Sequence, residues 1–514
     1  MPAKRSFAIA RSLGATAMLG AAVGLAGPAS ATDDPAPTRV TVAVTETIAG
    51  HNPHADSVSL MNGIWCKVYG CLVTYDFETG TFDSYMLESW GLKDPDEPTV
   101  WALEIKDGLM RHNGEQLVAA DIAHSIDRIA NDPNSRQTQN VRQVVEVRVI
   151  DDLNLEVVTD QPMVTLPTYM QNWIVTSKAL YDEYGPEVAD REHPHGIGPY
   201  RLADLSIGNY LVLEKVPDHP RAHPDNPDEV MLRIMPEPEQ RVTALMNGEV
   251  QVAQFIPPQL VQRVDQASHL DIAWVDAMEI MFLAMNPETP PWDDVRARQA
   301  VAHAVNRDAL VRALLGGQAT ILNGPAGPGV VGYDPDMPTF YEYDPEKARS
   351  LLEEAGLVGV EVDYYATVGR YIADRQISEA IVPMLEEVGF KVNFNTPEWS
   401  TLWADVQDGG VPFYYMGRGS VVDPSAALSQ YFETGGSPRI AYSNPELDEL
   451  FRLERAEFDP DQRNTLLREV FTLLAEDAPA HFLWRHRMAW GVSKDIAYAP
   501  RPDARLEAWD IFVR

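Results

Sequence analysis

Aromatic rings and guanidiniums, rather than nucleophiles, are what this sequence offers for chemistry. Its second half carries Trp399, Trp403, Tyr414, Tyr415, Tyr431, Trp484 and Trp490. Flat rings give large contact area in a cleft and tolerate varied ligands, although most aromatic side chains serve the core. Arg485 follows Trp484 directly, and the run Gly417-Arg418-Gly419-Ser420-Val421-Val422-Asp423-Pro424 sets a guanidinium, a hydroxyl and a carboxylate close together. The sequence contains no phosphate-cradling Gly-Lys-Ser/Thr loop, no nucleophile elbow and no His-Glu-x-x-His pattern. Gly327-Pro-Gly329-Val-Val-Gly332 has the glycine spacing of a dinucleotide fingerprint, but Pro325, Pro328 and Pro335 mark a loop where that motif needs a strand and then a helix. No cofactor is expected. Histidines fall in pairs at His51/His54, His193/His195 and His481/His486, and none shows a recognised metal-ligand spacing. Cys66 and Cys71 flank Gly70, which can turn the chain; an oxidising compartment permits a disulfide, with the geometry open. Two sulfurs without a second pair do not complete a zinc tetrahedron.

The elements that must position these groups read as an alternation of strand and helix. Arg39 to Val44, Trp101 to Lys106, Val144 to Val149, Leu155 to Thr159, Leu211 to Lys215 and Val230 to Ile234 have β-branched content or apolar alternation. Asp107-Gly108 is a hairpin turn signal, and Pro162 to Leu166 and Glu192 to Pro199 read as loops. Helices are expected over Ser59 to Tyr69, Ala119 to Ile129 and Glu239 to Asn247. Beyond Pro291 they dominate: Asp293 to Ala304, Arg307 to Leu315, Pro345 to Ala355 and Ala373 to Val388, with strands at Val360 to Tyr365 and Phe390 to Asn395. Such a mixture favours an α/β fold with a mixed sheet.

Lys4, Arg5 and Arg11, an apolar Ala/Gly-rich run to about Ala26, and Ala29-Ser30-Ala31 have the order of a secretory signal peptide cut after Ala31. Lys4-Arg5-Ser6-Phe7 departs by one residue from a twin-arginine signal, and Sec export is the default. With no cysteine at the cleavage site, a lipid anchor is not expected, and a periplasmic location fits. The chain has 514 residues, too many for one core, so two or three domains are expected. Its formal charge of −35 opposes nucleic acid and anionic lipid as partners and favours solubility.

Several blocks, in order from about Thr38 to near the C-terminus, carry a family likeness. They are Trp101 to Ile122, Gly196-Ile-Gly-Pro-Tyr200, Leu245-Met-Asn-Gly-Glu-Val-Gln251, Asn286 to Gly316, Tyr343 to Gly356 and Tyr442-Ser-Asn-Pro-Glu-Leu-Asp448. With these the chain resembles the dipeptide/oligopeptide/nickel-binding class, family 5, of ABC-transporter solute-binding proteins. The resemblance implies a periplasmic-binding-protein-like two-lobe fold (class II) with an extra α/β domain inserted in the first lobe. The implied boundaries are 38–75, 198–284 and 488–514 for the first lobe, 76–197 for the extra domain and 285–487 for the second lobe. It also implies a monomeric receptor that is not an enzyme, encloses a short peptide or small molecule and delivers it to ABC permease subunits in the inner membrane.

Many peptide-binding members hold the cargo's α-amine with an aspartate shortly before an Asp-Pro. Here Asp423 is the only acid of the corresponding run, and Arg418 stands at or beside the position of the usual tryptophan. An enclosed ammonium needs a countercharge, whereas a carboxylate or hydroxyl cluster is served by a guanidinium. The departure therefore favours an anionic or polyhydroxyl cargo over an ordinary free-amine peptide, unless Arg418 pairs with Asp423 or points to solvent. Trp399, Trp403, Arg418, Ser420, Asp423, Trp484 and Arg485 are the expected lining residues. The alternatives are a metal or metal-chelate (nickel, haem) receptor of the same class and an exported hydrolase.

Overall fold

Two long strands, Leu270–Met285 and Ala480–Ser493, pair antiparallel and tie the chain together. Both are buried along most of their length, so apolar residues occupy both of their faces and the alternation that marks a half-exposed strand is lost. The computed structural model describes residues 38–46, 49–56, 59–419, 422–506 and 508–514; the expected leader through Ala31 and Ser420 lie outside them.

Among the described residues an eleven-stranded mixed sheet is built around this pair. On one side Ala480–Ser493 meets Val252–Ala253, followed by Arg39–Val44, Glu229–Ile234, Tyr210–Lys215 and Tyr200–Ser206. On the other, Leu270–Met285 meets Phe413–Arg418, then Glu361–Tyr365 and Lys391–Asn395; Ala319–Ile321 adds to Ala480–Ser493 off this path. The ladder between the long strands runs from Leu270 opposite Ser493 to Asp276 opposite Arg487, slips, and resumes at Ile280 opposite Arg485. The Met278 N–H in the slipped segment donates to the Pro502 carbonyl at 2.9 Å, which satisfies a backbone donor that the ladder leaves over.

The slip also separates cores. Before it, Val275 and Ala277 pack with Val42, Trp65, Tyr200, Leu211 and Trp490. After it, Met281 and Leu283 pack with Trp292, Val301, Leu352, Ile381 and Trp484 on one face, and Ile280 and Phe282 with Tyr431, Phe432, Phe451 and Phe471 on the other. A separate four-stranded sheet, in the order Leu87–Leu92, Val100–Ile105, Asn154–Thr159, Val144–Val149, covers a core of Trp101, Ile122, Leu155 and Trp173.

Several expectations are met closely: Pro345–Ala355 is a helix ended by Gly356 in the left-handed region, and Asp374–Val388 is a helix ended by Gly389. Others are not. Asp107-Gly108 closes no hairpin, because Val100–Ile105 pairs with Leu87–Leu92 and Asn154–Thr159 instead. Leu166–Met170, which begins at the last residue of the expected loop Pro162 to Leu166, is a short helix that was not expected, with Pro167 in its first turn, where a missing N–H costs nothing. Cys66 and Cys71 form a disulfide at the end of the helix Ser59–Val68. The Gly196-Ile-Gly198 segment crosses that same corner. A Cβ at Gly196 or Gly198 would fall 2.0 Å from the Val68 carbonyl oxygen or 1.8 Å from that of Lys67, so only glycine fits at either position.

Candidate functional site

The strand Phe413–Arg418 and the helix Trp399–Gln407 bring together the groups that look most like a binding face. Trp399 and Trp403 stand one helical turn apart and stack at 5.4 Å, 17° from parallel. Arg370 lies over the Trp399 ring at 5.5 Å and over Tyr371 at 5.0 Å. Arg439 lies over the Trp403 ring at 4.8 Å and over Tyr431 at 5.2 Å. The result is a ladder in which a stacked ring pair is flanked on each side by a cation and then a ring: Tyr371, Arg370, Trp399, Trp403, Arg439, Tyr431. Among the described residues neither guanidinium has a carboxylate partner. Ring faces attract the cations electrostatically but accept few hydrogen bonds, so the N–H donors stay open.

The loop that presents Arg370 is held by one carboxylate. Asp374 accepts from the backbone N–H groups of Gly369, Arg370, Tyr371 and Arg375 and from the Thr367 hydroxyl, at 2.8–3.1 Å. From this loop the Tyr371 hydroxyl donates to the Gly417 carbonyl at 3.2 Å. Gly417 is needed there: a Cβ would sit 2.8 Å from both Met281 Sδ and Tyr371 Cε1. Ile372, next along, packs against cores on both sides of the slip in the long strands.

Arg418 ends its strand opposite Ile280. Its Nη1 donates to the Gly419 carbonyl at 3.2 Å, its buried Nε has no partner among the described residues, and it makes no ion pair with Asp423. Glu279 is close by, its Oε1 3.9 Å from where a Cβ of Gly419 would be. Burial pushes the Glu279 carboxyl above its ordinary range; Arg370 and Arg418 pull against this and Glu46 adds to it.

The remaining expected residues are placed differently. The Asp423 carboxylate caps the helix Pro424–Phe432 through the Ser425 N–H and forms a buried ion pair with Arg463 at 2.9 Å. Arg463 also pairs with Glu454 at 3.0 Å, and Glu454 accepts from the Ser425 hydroxyl. Trp484 is fully buried in the core around Trp292 and Ile381. Arg485 sits beside the register slip, its Nη1 donating to the Pro328 carbonyl at 2.9 Å; the fingerprint-like glycines thus belong to a loop packed on this side chain. Arg370, Tyr371, Arg439 and Glu279 were not expected. Only Glu279 had a sequence signal, as a lone acid within Ala277-Met278-Glu279-Ile280-Met281-Phe282.

No three His, Cys, Asp or Glu side chains are grouped to hold a metal ion among the described residues. His481 and His486 are buried and held below the ordinary imidazole range, His486 at about 4, by burial. His193 stacks on Tyr184 at 4.1 Å. No described helix is long and apolar enough to cross a membrane.

The class of protein is shown by comparison with known families, and it is that of binding proteins for small solutes. The family model "Bacterial extracellular solute-binding proteins, family 5 Middle" matches residues 82–439, and the chain belongs to that family. It is similar to the glutathione-binding protein GsiB of Pectobacterium atrosepticum, 25% identical over 476 residues that cover 88% of this chain and 90% of that one. GsiB of Salmonella typhimurium is 23% identical, covering 89% and 91%. Among solved structures, a dipeptide-binding protein from Pseudoalteromonas in complex with Met-Leu superposes with a TM-score of 0.80 at 18% identity, covering 93% of this chain and 100% of that one. AgaA in complex with agropinic acid, from A.tumefacien, does so with 0.78 at 20% identity, covering 93% and 99%. Members of this family are solute-binding receptors that work with ABC permeases, and membership points to a binding protein rather than an enzyme.

Proposed function

We propose that this protein is the periplasmic, monomeric receptor of an ABC importer and that it takes a small solute carrying a carboxylate. In this reading residues 38–75, 198–284 and 488–514 form one lobe, 285–487 the other, and 76–197 the extra domain. The lobes close on the cargo by bending along the long strand pair, in the segment from the slip to the boundary at 284. Hinge closure of periplasmic binding proteins is a known type of motion, and the closed form is favoured by as much as the cargo binds it better. The loaded receptor then meets the permease subunits in the inner membrane.

One observation carries the choice of cargo. Arg370 and Arg439 are fixed by ring faces and have no carboxylate of their own, in a chain with a formal charge of −35 where acids are plentiful. A guanidinium kept free in this way is suited to a carboxylate, which its paired N–H donors match. Arg418, with an unpartnered buried Nε, extends the same face. The relatives' cargoes support the reading, since glutathione, Met-Leu and agropinic acid all carry carboxylates.

Calorimetric titration of these three compounds, against the wild type and Arg418→Ala, tests the proposal. At least one is expected to bind, and the variant should lose affinity well beyond its change in melting temperature. Equal affinity in the two proteins would remove Arg418 from the site.

A further inference from the structure

Glu279 is an acid without a partner in a place where acids are costly. It stands in the slipped segment of Leu270–Met285 between the buried Met278 and Ile280, and no described side chain or backbone donor bonds to its carboxylate. Arg370 and Arg418 are near enough to act on its charge, but neither reaches ion-pair contact. The residues nearest its carboxylate include Gly417 and Gly419, which have no side chains to cover it. By contrast, Asp423, the acid that the family pattern offers for an amine, has both oxygens engaged by Arg463 and the Ser425 N–H. Glu279 is half-buried, and a carboxylate drawn partly out of bulk water is stabilised by a countercharge, which the described residues do not supply in contact.

We propose that the countercharge comes from the cargo: Glu279 receives a cationic nitrogen, and the solute is therefore zwitterionic. Tyr371 connects the two ends of such a site. Its ring carries Arg370 on the ladder side, while its hydroxyl is bonded to the Gly417 carbonyl beside Glu279. A solute with its carboxylate on the ladder and its ammonium on Glu279 would lie along Tyr371, which suits an amino acid derivative or a short peptide. The orientation differs from one with the amine on Asp423. The inference rests on the ladder being the anion-binding face.

Matched probes test it. Glutathione, Met-Leu and their N-acetylated forms, with gluconate as an amine-free polyhydroxyl anion, are titrated into the wild type and Glu279→Gln. The free-amine probes are expected to bind the wild type at least tenfold more tightly than their acetylated forms, and Glu279→Gln should erase that preference. The wild-type comparison stands even where the variant folds poorly. Binding of gluconate or an acetylated probe as tightly as the free amines overturns the role of Glu279 and leaves the carboxylate receptor intact. So does an amine preference that survives in Glu279→Gln. Failure of every probe to bind counts against both readings.

Discussion

Arg463 and Arg439 carry the same side chain in the same part of the chain, yet their surroundings differ in kind. Arg463 is buried and saturated: Asp423 and Glu454 both pair with it, and Ser425 completes the network. Arg439 lies on two ring faces and has no carboxylate partner among the described residues. Pairing neutralises a charge and fixes the polypeptide around it, whereas a ring face fixes the charge and leaves its hydrogen-bonding edge open. In the proposed reading the same residue type serves structure in one region and recognition in the other.

The sharpest way to break this comparison is Arg463→Ala. It leaves Asp423 and Glu454 buried without a cation, and a loss of about 3–5 kcal/mol in unfolding free energy is expected by denaturant titration. A loss near zero would mean that the pair is not what holds this region. Gly417→Ala comes next. The added methyl meets Met281 and Tyr371, so about 1–3 kcal/mol of stability should be lost together with the Tyr371 contact, seen as a change in tyrosine environment in near-UV circular dichroism. Arg439→Ala should reverse the pattern: about tenfold weaker cargo binding, or about 1.4 kcal/mol, with less than about 1 kcal/mol of stability lost. A large stability loss here would erase the distinction between the two regions. The smallest effect concerns pH. Neither region contains a histidine, but burial holds His486 at about 4 and His112 at about 4. Both are neutral in the folded state and titrate near 6.5 when unfolded, so stability is full above 6.5 and falls as pH drops toward 4. The melting temperature of His486→Gln should fall less over that window than that of the wild type, and Arg439→Ala should follow the wild type.

Much of the fold was legible because its punctuation is local. Asp344 before Pro345 and Gly356 after Ala355 mark a helix by chemistry that needs no tertiary context. The long strands were not legible, since burial on both faces removes the period of two. Trp399 and Trp403 were expected from residue type alone, and both stand on the face proposed as the site. Arg370 and Arg439 were missed because what distinguishes them is the absence of an acid nearby, and that is a property of space rather than of sequence. Asp423 shows the reverse: its motif position draws attention, while its partner Arg463 lies forty residues further along the chain.

If the lobes close as proposed, the slip between Asp276 and Ile280 would place Glu279 at the fulcrum of the long strand pair rather than at the rim of either arm. A lever sensed at its pivot needs little travel. A ligand that neutralises Glu279 would act on the few backbone torsions that turn one arm against the other, so that small displacements there are amplified at the far edges of the sheet. Occupancy would then be signalled to the membrane machinery by leverage, without a separate relay of side chains.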